Sequence, residues 1–215
     1  MKKIDISTWK RKETYNNFIG YTNPSFAMGT RLDVTKLVNF CKNKKKSFFT
    51  CFLYLVTRCA NEIESFRLRI DGEDVVLYDT VSPSYIVMLN NEELATCLTD
   101  SCEDFVSFYG NVREDIERVK NNNSPEFNKV PVLDCLYISC VPWTDFTSVI
   151  NPYDFNNQSR SSIPRITWGK YVEKTKGCFE MAIDVSAHHS LMDGKHIAEF
   201  YEKMQNMLDA WENLL

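Results

Sequence analysis

The sequence of 215 residues has no long apolar run, no excess of positive charge and only three histidines. No segment approaches the roughly 20 apolar residues that a membrane-spanning helix needs. The first residues, MKKIDISTWKRKE, are basic but lack an apolar core behind them, which argues against a secretory signal. The formal net charge of -4 argues against nucleic acid or an anionic membrane as the main partner, because both are bound through excess Lys and Arg.

The eight cysteines form no Cys-x-x-Cys pair, and their spacings fit no zinc site. Several lie inside apolar runs, such as Cys51 and Cys59. Two interpretations are open, a set of disulfides or buried free thiols in a reducing cytosol, and the apolar surroundings favour the second. We therefore expect a cytoplasmic protein that holds no metal.

Helical and strand patterns follow one another without a regular strand–helix–strand repeat. Helices are predicted over 9–19, 33–41, 48–63, 102–121 and 194–215, and strands over 25–34, 66–70, 75–78, 85–89, 132–141, 166–173 and 178–188. Loops are predicted over 121–131 and 151–164. The order of elements predicts one α/β domain over residues 1–215, with one antiparallel-rich sheet and helices packed on it.

All three histidines, His188, His189 and His196, lie within nine residues, at the predicted join between the last strand and the last helix. A side chain at a strand end is held by the sheet, and histidine exchanges protons near neutral pH because its unperturbed pKa is about 6.5. Alternation along the strand places His189 on its apolar face and His188 on the other. Periodicity alone leaves both a core histidine and a general base open for His189. Adjacent histidines point to opposite faces of a strand, so we expect no metal site here.

The segment from His188 to Gly194, HHSLMDG, matches the HHxxxDG signature of coenzyme A-dependent acyltransferases. Four further blocks resemble the chloramphenicol acetyltransferases, in the order and spacing of that family: DISTWKRKE, SFRLRIDGEDVVLYDTVSPSY, VPWTDFTSV and TWGKY. From residue 5 onwards the chain is therefore identified as a member of this family. The resemblance implies a two-layer α/β sandwich, a mixed and largely antiparallel sheet with helices packed on one side.

The resemblance further implies an O-acetyltransferase that uses acetyl-CoA as its co-substrate. His189 would be the general base that takes the proton from an acceptor hydroxyl, which attacks the thioester directly without an acyl-enzyme. Ser148 would donate a hydrogen bond to the oxyanion, and such a donor typically contributes about 10²–10³ in rate. Asp193 would pair with Arg11 and hold the loop that carries His189. Thr167 would help to order a water at the tetrahedral intermediate.

The family forms homotrimers whose active site lies at the subunit boundary, so the resemblance implies a site shared between chains. The acceptor pocket is where this sequence departs from the family. The family's Phe-Tyr pair falls on Asn17 and Phe18, and its next aromatic residue falls on Phe26. Hydrogen-bond changes of this kind can discriminate strongly between acceptors. Chloramphenicol is the first acceptor to consider, and another hydroxylated or amine-bearing small molecule is the alternative.

Two other hypotheses are open. An acyltransferase domain of a 2-oxo acid dehydrogenase complex would need a lipoyl domain and a linker, and the sequence shows neither. A non-catalytic trimeric binding protein could keep the same fold without the chemistry. The presence of His189, Ser148, Asp193 and Arg11 argues against an idle site, because nothing but catalysis requires those residue types together.

Overall fold

The computed structural model describes residues 1–122 and 132–214. Its helices are α1 (Lys12–Ile19), α2 (Thr35–Lys44), α3 (Phe48–Asn61), α4 (Phe105–Asn122), α5 (Gln158–Ser161) and α6 (Gly194–Asp209). Its strands are β1 (Lys2–Lys3), β2 (Ser25–Asp33), β3 (Leu68–Asp71), β4 (Asp74–Leu77), β5 (Ser82–Met88), β6 (Leu94–Leu98), β7 (Cys135–Val141), β8 (Arg165–Gly169), β9 (Val172–Thr175) and β10 (Cys178–His188). Short 3₁₀ helices lie at Glu64–Arg67 and Trp211–Leu214.

These strands form two sheets. The larger has seven strands in the order β2-β10-β8-β7-β5-β6, with β9 also paired to β10. Strand β7 runs parallel to β5 and β8, and the remaining pairs are antiparallel. The smaller sheet is antiparallel, in the order β1-β4-β3. The predicted mixed sheet with helices on one side is confirmed, whereas the second sheet was not expected from the sequence.

Helices α3 and α6 cover one face of the large sheet and bury its apolar side chains. On β10 and β8 every second residue, such as Ile183 and Trp168, belongs to this core. The Phe52 ring of α3 meets the Trp168 ring edge-on, with centroids 5.0 Å apart. Helix α6 contributes four buried apolar residues to this face: Ile197, Phe200, Met204 and Leu208. Burial of apolar surface on this face of the sheet supplies most of the driving force for folding.

The opposite face of the large sheet is polar. Strand β10 places Asp184 and Ser186 there, and β8 places Thr167 beside them, all of them buried. The Asn151 side chain, from the segment after β7, donates to Ser186 at 3.1 Å and accepts from Thr167 at 3.2 Å. These bonds satisfy polar groups that would otherwise be costly to bury.

The predicted single strand over 166–173 is wrong, since the chain leaves the sheet between β8 and β9. The backbone N–H of Lys170 donates to the Thr144 carbonyl at 2.9 Å instead of continuing the ladder. A Cβ on Gly169 would lie 2.9 Å from that same carbonyl oxygen, so only glycine permits this close approach. The strand Leu94–Leu98 was not predicted. Of the predicted loop over 121–131, residues 123–131 lie outside the described residues.

All eight cysteines are free thiols, and five of them are buried, as the apolar runs around them predict: Cys41, Cys51, Cys59, Cys97 and Cys135. Within residues 1–122 and 132–214, no helix has both the length and the apolar character to cross a membrane.

The Arg69 guanidinium joins the small sheet to the large one. Its side chain is fully buried on β3 and donates to four backbone carbonyl oxygens. Two of these bonds stay near β3, at Phe66 (2.8 Å) and Leu68 (2.6 Å), and two reach the start of β7, at Leu133 (2.7 Å) and Cys135 (2.5 Å). Burial lowers the pKa of Arg69 to about 10, so the group is still charged at neutral pH.

Substitution Arg69→Met is expected to lower the free energy of unfolding by at least about 3 kcal/mol, because it leaves four buried carbonyl groups without their donor. The measurement is urea-induced unfolding at a fixed protein concentration. Substitution Arg113→Met, on the exposed surface of α4, is the matched control and should change stability by less than about 0.5 kcal/mol. A loss below about 1 kcal/mol for Arg69→Met would contradict this role.

Candidate active site

The two adjacent histidines stand where β10 turns toward α6. His188 is the last residue of β10, and His189 follows it in the turn. The backbone N–H of His189 donates to the Pro24 carbonyl at 2.8 Å, just before β2 begins. The neighbouring strand therefore fixes the backbone from which this imidazole projects.

Two aromatic rings hold the His189 imidazole from either side. The Phe18 ring of α1 is stacked on it, with centroids 4.0 Å apart and an angle of 4° between the planes. The Phe26 ring of β2 lies 4.5 Å away at 32°. The Nδ1 atom of His189 is buried and has no hydrogen-bond partner within the described part of the chain. Aromatic packing, not a hydrogen bond, therefore sets the plane of this ring.

The predicted pair of Arg11 and Asp193 is present beside the histidine. The Arg11 Nη1 atom lies 2.6 Å from Asp193 Oδ2, and its Nη2 donates to the His189 carbonyl oxygen at 3.2 Å. Burial raises the pKa of the Asp193 carboxyl, but the hydrogen bond from Arg11 and the charge of that arginine outweigh it, so the pKa falls below its ordinary value. The carboxylate is thus held charged, and the pair fixes the turn instead of touching the imidazole of His189.

His196 takes part in the hydrogen bonds that cap the N-terminus of α6. Asp193 is the N-cap, and its Oδ1 accepts from the Lys195 backbone N–H at 3.3 Å. In return, His196 Nδ1 accepts the Asp193 backbone N–H at 3.1 Å, which completes a reciprocal capping box. Neither the cap nor a role for His196 is among the predictions made above. The cap connects the helix start to the same carboxylate that holds Arg11.

His188 is a buried structural histidine with a fixed tautomer. Its Nδ1 accepts the Ser190 backbone N–H at 3.3 Å, so the ring proton lies on Nε2, 2.9 Å from Gln158 Oε1. Burial, together with the nearby His189, lowers the pKa of His188 to about 4. The ring is therefore neutral at physiological pH and cannot also serve as the exposed base.

Ser148 and Thr167 do not meet His189 in one chain. Thr167 lies on the polar face of the large sheet, opposite Asp184 of β10, and Asp184 precedes His189 by five residues. His189 contacts Phe26, whose ring packs against the helix-covered core. Ser148 is exposed in the segment after β7. Thr167 and His189 therefore lie on opposite sides of the sheet, and Ser148 lies outside its strands.

The residues predicted for the acceptor pocket lie in two different environments. Phe18 and Phe26 flank the imidazole of their own chain, as described above. The Asn17 side chain is exposed on α1. The two rings thus pack on the imidazole of His189, and their effect on an acceptor stays a prediction.

A cavity of about 400 Å³ lies on the polar face of the large sheet. Its walls include Tyr137 of β7, Tyr153, and the two arginines Arg160 and Arg165. The sequence analysis did not single out these residues. One signal was available, because Arg165 breaks the apolar character of a buried strand that otherwise reads Ile-Thr-Trp-Gly. Within the described ranges, no cluster of His, Cys, Asp and Glu is arranged to hold a metal ion.

Comparison with known proteins agrees with the motif analysis. A family model described as chloramphenicol acetyltransferase matches residues 1–205. A chloramphenicol acetyltransferase of Staphylococcus aureus is 30% identical over 210 residues, which is 96% of this chain and 95% of the relative.

Solved structures show the same fold. A chloramphenicol acetyltransferase superimposes with a TM-score of 0.83 at 28% identity, covering 96% of this chain and all of the other. The dihydrolipoamide acetyltransferase of Azotobacter vinelandii superimposes with a TM-score of 0.70 over 100% of this chain and 93% of its own, at 12% identity. At that identity the second likeness concerns the fold alone.

The neutral state of His188 predicts a specific acid sensitivity. Its folded pKa of about 4 lies below its unfolded value, so the unfolded chain binds the proton first as the pH falls. The stabilisation is complete above about pH 6.5 and is lost toward pH 4, by up to about 3 kcal/mol. Urea unfolding from pH 7.5 to 4.5 should therefore show a steeper loss in the native protein than in His188→Gln. Equal slopes would contradict the assignment.

Proposed function

Because the chain belongs to the chloramphenicol acetyltransferase family, we propose that it transfers an acetyl group from acetyl-CoA to a hydroxyl of chloramphenicol or of a related small molecule. We propose that residues 1–215 act as one catalytic domain, and that His189 is its general base. Free cysteines and the use of acetyl-CoA both suit a reducing cytoplasm.

The observation that carries this proposal is the way His189 is held. Its ring lies between Phe18 and Phe26, and its carbonyl is bound by Arg11 of the pair with Asp193. An imidazole that serves only to fill a core needs no such support of both ring and backbone. A base that must meet a hydroxyl in one orientation does need it, because misplacement of a reacting group by about 1 Å can cost about 10² in rate.

The proposed chemistry is a direct transfer. His189 Nε2 takes the hydroxyl proton as the acceptor oxygen attacks the thioester carbonyl carbon, and the carbonyl oxygen becomes an oxyanion. Collapse of this tetrahedral intermediate re-forms the carbonyl and expels the coenzyme A thiolate, which receives the proton from the imidazolium. In this scheme Nδ1 keeps its own proton throughout, and the flanking rings keep the imidazole from turning.

We propose that the site is shared between copies of the chain in a homotrimer. Ser148 of one copy would face His189 of the next and donate to the oxyanion, and Thr167 would lie on the Ser148 side with its water. This arrangement accounts for the placement of Thr167 and His189 on opposite sides of the sheet. It also accounts for the exposed apolar residues around Ser148, since Trp143 is 66% exposed and Ile150 is 96% exposed in the single chain.

Release of free thiol from acetyl-CoA, with and without chloramphenicol, tests the reaction. We expect acceptor-dependent release by the native protein and a loss of at least about 10²–10⁴ in rate for His189→Ala. His188→Gln is the matched control at pH 8 and should keep a far larger share of the activity. Unchanged turnover in His189→Ala would exclude the mechanism, and the absence of release with chloramphenicol would exclude that acceptor.

Mixing two inactive variants tests the shared site. Co-refolded His189→Ala and Ser148→Ala chains should regain about a quarter of native activity, because that share of head-to-tail interfaces pairs an intact histidine with an intact serine. Light scattering should give three times the 25.1 kDa mass of one chain. A monomeric mass, or a mixture no more active than its components, would refute the shared site.

A further inference from the structure

The cavity on the polar face of the large sheet contains an unusual guanidinium. The Arg165 side chain projects from β8 and is buried, with 6% of the residue exposed. Its guanidinium carbon lies 3.6 Å from the centre of the Tyr153 ring and 5.5 Å from that of Tyr137. The group thus stacks on aromatic faces, as guanidinium ions do when they are fixed in one plane.

Few of the described residues accept hydrogen bonds from this guanidinium. Arg165 Nη1 donates to the Ile163 carbonyl at 3.0 Å. Throughout the part of the chain that the structure describes, Arg165 has no carboxylate within ion-pair distance. A buried charge without a counter-charge is costly, so a site that keeps one commonly receives its partner from outside. The stacked geometry leaves the in-plane N–H groups as the available donors.

A second positive charge lines the same cavity. Arg160, on α5, is exposed, and no carboxylate of the described residues forms an ion pair with it. Burial lowers the pKa of Arg165, and repulsion by Arg160 contributes to that shift. Asp154 lines the cavity as well, but its carboxylate is exposed and accepts the Asn156 backbone N–H at 3.3 Å. The charge facing the cavity is therefore net positive.

We propose that this cavity binds the carboxylate of a small molecule, held by the in-plane N–H groups of Arg165 and by the charge of Arg160. Planar carboxylates match the guanidinium fork in a bidentate way. The volume of about 400 Å³ suits a small organic molecule. The inference rests on the function proposed above and narrows its acceptor to a molecule related to chloramphenicol that carries a carboxylate as well as a hydroxyl.

Benzoate and benzamide are suitable probes, because they share a shape and differ in charge. We expect the native protein to bind benzoate at least about tenfold more tightly than benzamide, as ligand-observed NMR titration would measure, since hydrogen bonds to a charged group are the stronger ones. Substitution Arg165→Leu should reduce this preference to about twofold or less, and Arg160→Gln should weaken it partly. Arg165→Lys keeps the charge without the fork and should fall between native and Arg165→Leu.

Two controls separate this inference from the proposed reaction. Arg113→Leu, on α4 away from the cavity, should bind benzoate like the native protein. His189→Ala should also bind benzoate like the native protein while it loses acetyl transfer. The binding result can therefore be interpreted even if the proposed reaction fails. Melting temperatures of all variants establish that each one is folded.

Three results would overturn the inference. One is equal affinity for benzoate and benzamide, or no saturable binding of either. The second is an unchanged preference in both Arg165→Leu and Arg160→Gln. The third is displacement of benzoate by adenosine 3′,5′-bisphosphate, which would assign the arginines to a phosphate of coenzyme A.

Discussion

The pair of Arg11 and Asp193 is the interaction on which the rest of the site depends. One guanidinium nitrogen binds the carboxylate and the other binds the carbonyl of His189. The same carboxylate caps α6, and the same arginine precedes the helix that supplies Phe18. Helix α1, the turn and the imidazole are therefore all held by this one ion pair. A displacement of any one of them would displace the others. Charge-assisted hydrogen bonds suit this task because they are short and directional.

The two faces of the large sheet differ in polarity and in what they carry. The helix-covered face holds the apolar core and, at its margin, the imidazole with its two aromatic neighbours. The other face carries buried polar side chains and the arginine-lined cavity. A single step along the chain, from His188 to His189, passes from one environment to the other. This is why the His188 ring is buried and neutral while the imidazole of its neighbour packs against aromatic rings.

The features that the sequence predicted well are local ones. Alternation along a strand has a period of two, so it correctly assigned His188 and His189 to different faces. The predicted helix over 194–215 begins at Gly194, directly after an aspartate, and Asp193 is its N-cap. The pairing of Asp193 with Arg11 came from the family resemblance, and the two groups lie 2.6 Å apart in the structure. The roles of Ser148, Thr167 and Asn17 are still predictions.

What the sequence did not predict depends on contacts between distant segments. The break after Gly169 is caused by the Thr144 carbonyl, which no local pattern reveals. The role of Arg69 needs both sheets to be in place, and that of Arg165 needs the rings of Tyr137 and Tyr153. In each case a charged or small residue is explained by a neighbour that is remote in sequence.

Strand β10 has a consequence for the synthesis of the protein. It lies between β2 and β8 in the sheet, and the Arg11 side chain finds its carboxylate 182 residues later. During translation, α1, β2 and β8 therefore emerge from the ribosome before β10 and the turn that join them. These elements lack their partners until residue 193 has left the ribosome. Until then the edges of β2 and β8 are exposed to wrong pairing, so protection during translation matters more here than in a fold built from local contacts.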